Sequence, residues 1–375
     1  MSSNISFKKL DGGGAEVSLI VIIPAYNEEM VIANTLKSIM SAGIHPRNIY
    51  VINDASKDRT AEYASAIGVN VLNNQKNLGK AGGVTRALEV IFGNPANDHI
   101  THVCFLDADT ILDQGYFDAM IRRLHNDLIV CNQTGEEPIS VLCGKVKSIP
   151  HNWLTAFRAF ELWQSHAIHK MAQAKLRGIT VAPGCTSTYS VEALRKVDWS
   201  EDTSTEDMDA TIQVAINGGI IKYEAEAIVY TQDPNTIRDY IGQIERRWYP
   251  GTWQVMGKHG LLWKGPFKIL NWECRLMVLE PLAYVSLLMY SAFFDPMQLL
   301  WVFGISFVII MALAVMASIS ERRMDILKYS IFFPFILFVN LMIFTGKIGN
   351  IFGRTKQTLK WYSPERYSIN EGEVK

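Results

Sequence analysis

The 375-residue chain is short of charge. Lys, Arg, Asp and Glu make up 19% of it, where a soluble domain carries about 25%, so part of the chain is expected to lie in lipid. The charge is also balanced, 36 Lys and Arg against 37 Asp and Glu. That excludes a protein holding nucleic acid by bulk charge, and no nucleic-acid partner is expected. Cysteine is sparse. Cys104, Cys131, Cys143, Cys185 and Cys274 stand far apart with no CxxC pair, which excludes a disulfide framework and a thiolate zinc site and suits a reducing compartment. No GxGxxG follows the first expected strand, and the phosphate-loop spacing is absent. Neither a nicotinamide enzyme nor a P-loop nucleotidase is therefore expected. Residues 1–15 are polar, contain Gly12-Gly13-Gly14, and are expected to be a flexible N-terminus without a signal peptide.

What is abundant is apolar sequence, at 49%, and it is unevenly spread. Up to about Tyr230, short β-rich runs alternate with helical spacing. Val17–Ile23 is a continuous apolar run ending at Pro24, the pattern of a buried strand. Ile49–Ile52, Val69–Leu72 and Val103–Leu106 are further short strands, with helices expected over Glu28–Ser41, Asp58–Ile67 and Lys80–Phe92. This order predicts an α/β fold: a Rossmann-like, mostly parallel sheet with helices on both faces. Ligands of such sheets bind at the carboxyl ends of the strands. The catalytic domain is expected over residues 16–235.

From about Leu276 the composition changes. Residues 276–294, 297–319 and 329–345 are apolar runs, close to the roughly 20 residues a spanning helix needs. Residues 276–346 are therefore expected to be a membrane region, followed by a basic tail over 347–375. Basic residues precede the first run (Lys258, Lys264, Lys268, Arg275), separate the second from the third (Arg322, Arg323, Lys328) and fill the tail (Lys347, Arg354, Lys356, Lys360). The rule that cytoplasmic loops are basic puts all of these inside. Three full crossings do not satisfy that rule, so either the third run is re-entrant, which Pro334 and Asn340 would suit, or the tail is outside. Residues 236–275 carry Trp248, Trp253, Trp263 and Trp272 among basic residues and are expected to lie along the membrane surface. Trp153–Arg177 is read as a second interfacial helix or as a helix packed on the sheet.

Several motifs can carry chemistry. Asp107-Ala108-Asp109 follows the fourth strand, and in an extended segment its two carboxylates would point the same way and share Mg²⁺ or Mn²⁺. Asn53-Asp54 ends the second strand, where Asp54 would either accept hydrogen bonds from a nucleoside or cap a helix. Lys80, at the start of a helix after a glycine-containing turn, suits an anion. Glu206 and Asp207 open another helix. There they either complement its dipole, with Thr205 as cap, or supply a base that deprotonates an acceptor hydroxyl. Gln243 to Trp248 places Arg247 beside Trp248, either to anchor the chain at the interface or to hold a diphosphate and a sugar. Each motif alone has an ordinary structural explanation.

Their order is more specific. Pro24-Ala25-Tyr26-Asn27-Glu28, Asn53-Asp54, Asp107-Ala108-Asp109, Thr205-Glu206-Asp207, Arg247-Trp248 and then apolar spans resemble the membrane-integrated family 2 glycosyltransferases, the branch of cellulose, hyaluronan and poly-N-acetylglucosamine synthases. The resemblance runs from Val17 to the tail. It implies a GT-A fold, a nucleotide-sugar donor (usually a UDP-sugar), Mg²⁺ or Mn²⁺, inversion at the anomeric carbon, and a polysaccharide or lipid-linked acceptor. It implies that Pro24, Tyr26, Glu28 and Asp54 bind the nucleoside, and that Lys80, Asp107 and Arg247 lie at the nucleotide. It further implies that Asp109, with Asp107, holds the metal and that Asp207, rather than Glu206, is the base. Gly184 and Cys185 resemble the loop that meets the acceptor, with Gln243 and Trp248. One departure stands out: the family pattern Gln-x-x-Arg-Trp would put Gln at position 244, where this chain has Ile244, and Gln243 comes one residue early. The implied location is the cell membrane, multi-pass, with the catalytic domain cytoplasmic. A polymer product would need a homo-oligomer or partner subunits for export. A non-processive glycolipid-forming transferase and a nucleotide-sugar-sensing membrane subunit are the alternatives.

Overall fold

The computed structural model describes residues 17–199, 202–262, 268–347 and 366–367. They fall into two compact units. The first comprises the described parts of Met1–Lys147, Lys170–Gln232 and Arg366–Glu371; the second comprises those of Ser148–His169 and Asp233–Glu365.

The first unit is built on one sheet. Its strands are β1 (Leu19–Ala25), β2 (Ile49–Asn53), β3 (Asn70–Asn73), β4 (His102–Phe105), β5 (Ile111–Leu112), β6 (Ile139–Ser148), β7 (Ser187–Ser190) and β8 (Ile220–Thr231), in the order β3-β2-β1-β4-β7-β6-β8-β5. The first half is parallel, as the alternation of strand and helix requires. The junctions of β4 with β7, β7 with β6 and β8 with β5 are antiparallel, so the sheet as a whole is mixed. The Leu19–Ile23 run is buried because helices cover both faces of a parallel sheet. β1 does not stop at Pro24. Proline lacks only the donor, and Ala25 O still accepts from Asp54 N at 2.9 Å. The helices α1 (Ile32–Ser41), α2 (Thr60–Ile67) and α3 (Gly79–Phe92) link the parallel strands. β1 and β2 end in register, Ala25 opposite Asn53, which is itself opposite Asn73. Their following loops therefore emerge side by side at the ligand-binding edge.

The second unit is helical. Trp153–Trp163 is an α-helix capped by Asn152. It gives way to a π-helical stretch over Gln164–Lys170, so the helix expected through Arg177 is interrupted. Phe157, Phe160 and Trp163 are buried among Tyr240, Ile244, Ala314, Ala317, Phe333 and Ile336. The segment thus packs Phe157, Phe160 and Trp163 into the core of this unit. Trp253 is buried too, against Phe344, whereas Trp272 is exposed. Trp263 lies outside the described residues.

Three helices are long and apolar enough to cross a membrane: Ile269–Phe294, Pro296–Glu321 and Met324–Gly346. The first runs unbroken through Pro281 with Glu280 exposed. The third is interrupted by a 3₁₀ turn at Ser330–Phe332 before its apolar part, Phe333–Lys347.

Candidate active site

The loops after β1 and β2 are laced together by short polar side chains. Asn27 N donates to Ser56 Oγ, Lys57 N donates to Asn27 Oδ1, and Glu28 N donates to Thr60 Oγ1. Asp58 Oδ1 caps the start of α2, while its Oδ2 accepts from Glu29 N. Asn27 and Ala55 both sit at positive φ, 57° and 61°, a conformation with a cost for residues other than glycine that recurs at binding sites. Tyr26 stands 40% exposed at this edge. Asp54 acts from beneath: its Oδ1 accepts from Leu78 N at 2.8 Å and Asn74 Nδ2 at 2.7 Å, so it braces the turn that enters α3. That turn aims Lys80 at the site.

Lys80 Nζ lies 2.7 Å from Asp107 Oδ1 and 3.0 Å from Glu206 Oε1. The Asp107-Ala108-Asp109 segment is a turn closed by Thr110 N on Asp107 O, pinned to α1 by Thr35 Oγ1 on Ala108 O. The expectation of an extended segment is therefore corrected. β4 ends at Phe105, and Asp107 and Asp109 bond different cationic side chains, Lys80 and Arg366. Asp109, buried, accepts from Arg366 Nη1 at 2.5 Å. Arg366 also forks onto Glu28, Nε to Oε2 at 3.1 Å and Nη2 to Oε1 at 2.9 Å. Burial pushes the carboxyls of Glu28 and Asp109 above the usual carboxylate range, and the Arg366 charge works against that rise.

The helix Glu206–Ile216 carries the remaining acids. The Thr205 side chain does not cap it, and its hydroxyl is buried without a partner among the described residues. Thr205 is thereby removed as a cap, while Glu206, Asp207 and Asp209 lie in the first turn, where they complement the helix dipole. Glu206 is buried against Lys80, while the half-buried Asp207 turns one oxygen to Gly184 N at 3.3 Å. A Cβ on Gly184 would stand 3.0 Å from Lys80 Nζ, so the glycine lets this loop pass close to the charged cluster. The neighbouring Cys185 is buried, which pushes its thiol well above the ordinary range; it is not a thiolate nucleophile.

Gln243 and Trp248 belong to the second unit. They flank a π-helical turn, Ile244–Trp248, in which Tyr249 N bonds Ile244 O five residues back. In an α-helix the i→i+4 bond stacks residues four apart; in a π turn the i→i+5 bond stacks residues five apart. The π turn places one residue more between Gln243 and Trp248 than the α-helical Gln-x-x-Arg-Trp spacing would. The Arg158 guanidinium lies 4.5 Å from the centroid of the Trp248 ring. It is held there by Asp233 at 2.9 Å and Glu161 at 2.6 Å. The Arg247 side chain lies outside the described residues.

The structure brings Glu28, Lys80, Asp107, Asp109, Gly184, Glu206 and Asp207 into one cluster in the first unit, with Pro24, Tyr26 and Asp54 in or under its rim. Sequence reasoning missed Arg366. It stands 257 residues from Asp109 in a tail with no pattern of its own, and only the fold reveals it. Among the described residues no three His, Cys, Asp or Glu side chains converge as a ready-made metal cage. A buried carboxylate already bonded to a cation, Asp109, is nevertheless a fit place for a hard divalent ion.

A mixed sheet with paired acids at its carboxyl edge defines a GT-A glycosyltransferase fold. Residues 20–198 match the family model "Glycosyl transferase family 2". It is 27% identical over 243 residues to the poly-beta-1,6-N-acetyl-D-glucosamine synthase of Staphylococcus aureus strain COL, a match covering 63% of this chain and 54% of that protein. The chain thus spans about half the length of that curated relative. It is 25% identical to the "Probable glycosyltransferase YdaM" of Bacillus subtilis strain 168, covering 93% of this chain and 86% of that one. Among solved structures it is similar in fold to a mannosyltransferase from Pyrobaculum calidifontis in complex with GDP-Man and Mn²⁺. The TM-score is 0.56 at 16% identity, over 84% of this chain and 86% of the other.

Proposed function

We propose that this protein is a metal-dependent, inverting glycosyltransferase of the membrane, moving a sugar from a UDP-sugar to a hydroxyl of a growing polysaccharide. The observation that carries the mechanism is the split between adjacent acids. Glu206 is buried and neutralised by Lys80, whereas Asp207 is half-buried beside the Gly184 loop. Asp207 therefore takes the proton from the acceptor hydroxyl as that oxygen attacks the anomeric carbon. The nucleoside diphosphate departs from the opposite face, and an α-linked donor gives a β-glycosidic product. Lys80 supplies fixed positive charge near the leaving group, and Tyr26, Glu28 and Asp54 shape the nucleoside end. A divalent cation, Mg²⁺ or Mn²⁺, would be held at Asp109 and would supply charge neutralisation for the diphosphate. The Staphylococcus relative is named for an N-acetylglucosamine polymer, which makes UDP-N-acetylglucosamine the first donor to test.

The site also bears on topology. Arg366 follows all three apolar helices in sequence, and Glu28 and Asp109 precede them, yet they bond to one another. That contact supports placing both ends on one side of the membrane, with an even number of crossings. The third helix is the exception. Its unbroken part, Phe333–Lys347, spans about 22 Å, short of the roughly 30 Å hydrocarbon core. Its Asn340 is bonded to Tyr240 and Glu161. The first two helices cross as a hairpin around Asp295, and the third does not. Every basic cluster near the spans then lies on one side, the cytoplasmic one.

The test is UDP release by the full chain in lipid nanodiscs with Mn²⁺, across UDP-N-acetylglucosamine, UDP-glucose, UDP-galactose and UDP-glucuronate, beside Asp207→Asn. Metal-dependent release lost in the variant is the expected result, and product size separates polymer from glycolipid. Donor binding without turnover, with and without added membranes, would replace the reading with a sensing subunit.

A further inference from the structure

We propose that Arg366 is the resident cation of the Asp109 site, and that a divalent metal gains Asp109 only by displacing it. The inference rests on the metal-dependent reading of Asp109 and adds a control that the chain itself exerts on it.

The carboxylates of the site are shared between two cationic side chains. Lys80 serves Asp107 and Glu206; Arg366 serves Glu28 and Asp109. The Arg366 fork is fully engaged, two nitrogens on Glu28 and the third on Asp109 Oδ2. All three groups are largely shielded, with side-chain exposures of 18% for Arg366, 11% for Glu28 and 7% for Asp109. This is the planar, multidentate geometry in which arginine binds carboxylate best. A hard divalent ion seeks the same carboxylate oxygens, and two cations a few ångströms apart in a shielded site repel strongly. The two occupants therefore exclude each other. Guanidinium does not lose its proton in proteins, so Arg366 leaves by exchange and not by titration. The metal concentration at which the site fills is then set against an internal competitor some 257 residues away in sequence. Without metal, the same contact keeps two buried carboxylates from facing each other uncompensated.

The test is Mn²⁺ binding to the full chain in nanodiscs, without donor, followed by the electron paramagnetic resonance signal of free Mn²⁺. Arg366→Gln is expected to bind Mn²⁺ at least about tenfold more tightly than the parent, the step that 1.4 kcal/mol represents. Arg366→Lys keeps the charge but loses the fork, and is expected to show a smaller gain in the same direction. It keeps the test open if the glutamine variant folds poorly, which a melting curve reports. Asp109→Asn should remove the gain in either background. Equal or weaker Mn²⁺ binding in both Arg366 variants, with binding still dependent on Asp109, would overturn the competition and leave the metal site standing. Binding that never depends on Asp109 would overturn the metal reading and this inference together.

Discussion

Lys80 Nζ lies 3.0 Å from Glu206 Oε1, and this one contact separates two neighbouring acids that look alike in sequence. A carboxylate buried against an ammonium is a weak base; the half-buried Asp207 is the acid proposed to accept the proton. Asp207→Asn is expected to lower kcat by about 10²–10⁴-fold with little change in donor KM. Glu206→Gln is expected to act differently, raising donor KM, because it loosens Lys80 without removing the base. Steady-state UDP release over a range of donor concentrations distinguishes the two, and an equal fall in kcat would refute the assignment.

An even number of crossings places the C-terminus in the cytoplasm. A green fluorescent protein fused after Lys375 is expected to fluoresce and an alkaline phosphatase there to be inactive, as for a cytoplasmic terminus. A phosphatase inserted at Asp295 should be active. An active phosphatase at the C-terminus would mean three crossings and would sever Arg366 from Asp109.

The π turn predicts an unusual tolerance. Deleting Glu245 removes the extra residue and lets the segment close as an α-helix with the Gln-x-x-Arg-Trp spacing, so activity should stay within about threefold of the parent. Deleting both Ile244 and Glu245 rotates Gln243 away from Trp248 and should abolish transfer. Loss of activity in the single deletion, with folding intact by circular dichroism, would show that the π geometry itself is required.

A pH effect on stability follows from His102 in β4. Burial lowers its pKa to about 4 from 6.5, so the folded state resists protonation that the unfolded chain accepts. Stability is fully present above pH 6.5 and falls as the pH drops from there toward 4, by at most about 3 kcal/mol. Denaturant unfolding at pH 7 and pH 5 measures the loss. His102→Gln should flatten the dependence over that window; an unchanged slope would show that other groups cause it.

The parallel half of the sheet was legible because buried strands and amphipathic helices carry their own periodicity. The apolar helices were legible for the same reason, since a bilayer demands length and apolarity, which composition records. Asp107, Asp109, Glu206 and Asp207 were visible as acids at strand and helix ends. Their partners were not, because Lys80 reaches Glu206 only after the chain has folded back over more than a hundred intervening residues. The aromatic residues of Trp153–Trp163 misled for a related reason. An aromatic stripe satisfies a membrane surface, a sheet or a helix bundle equally well, and only packing chose the bundle around Phe333 and Tyr240.

By itself, then, the sequence determined the alternation of strand and helix, the apolar segments and the kinds of chemical group available, since each depends on neighbours within a few turns of the chain. Tertiary structure alone decided which acid lies against Lys80 and where Arg366 lies. Those outcomes depend on distances between groups that are remote in sequence, and a linear pattern of residues does not encode them.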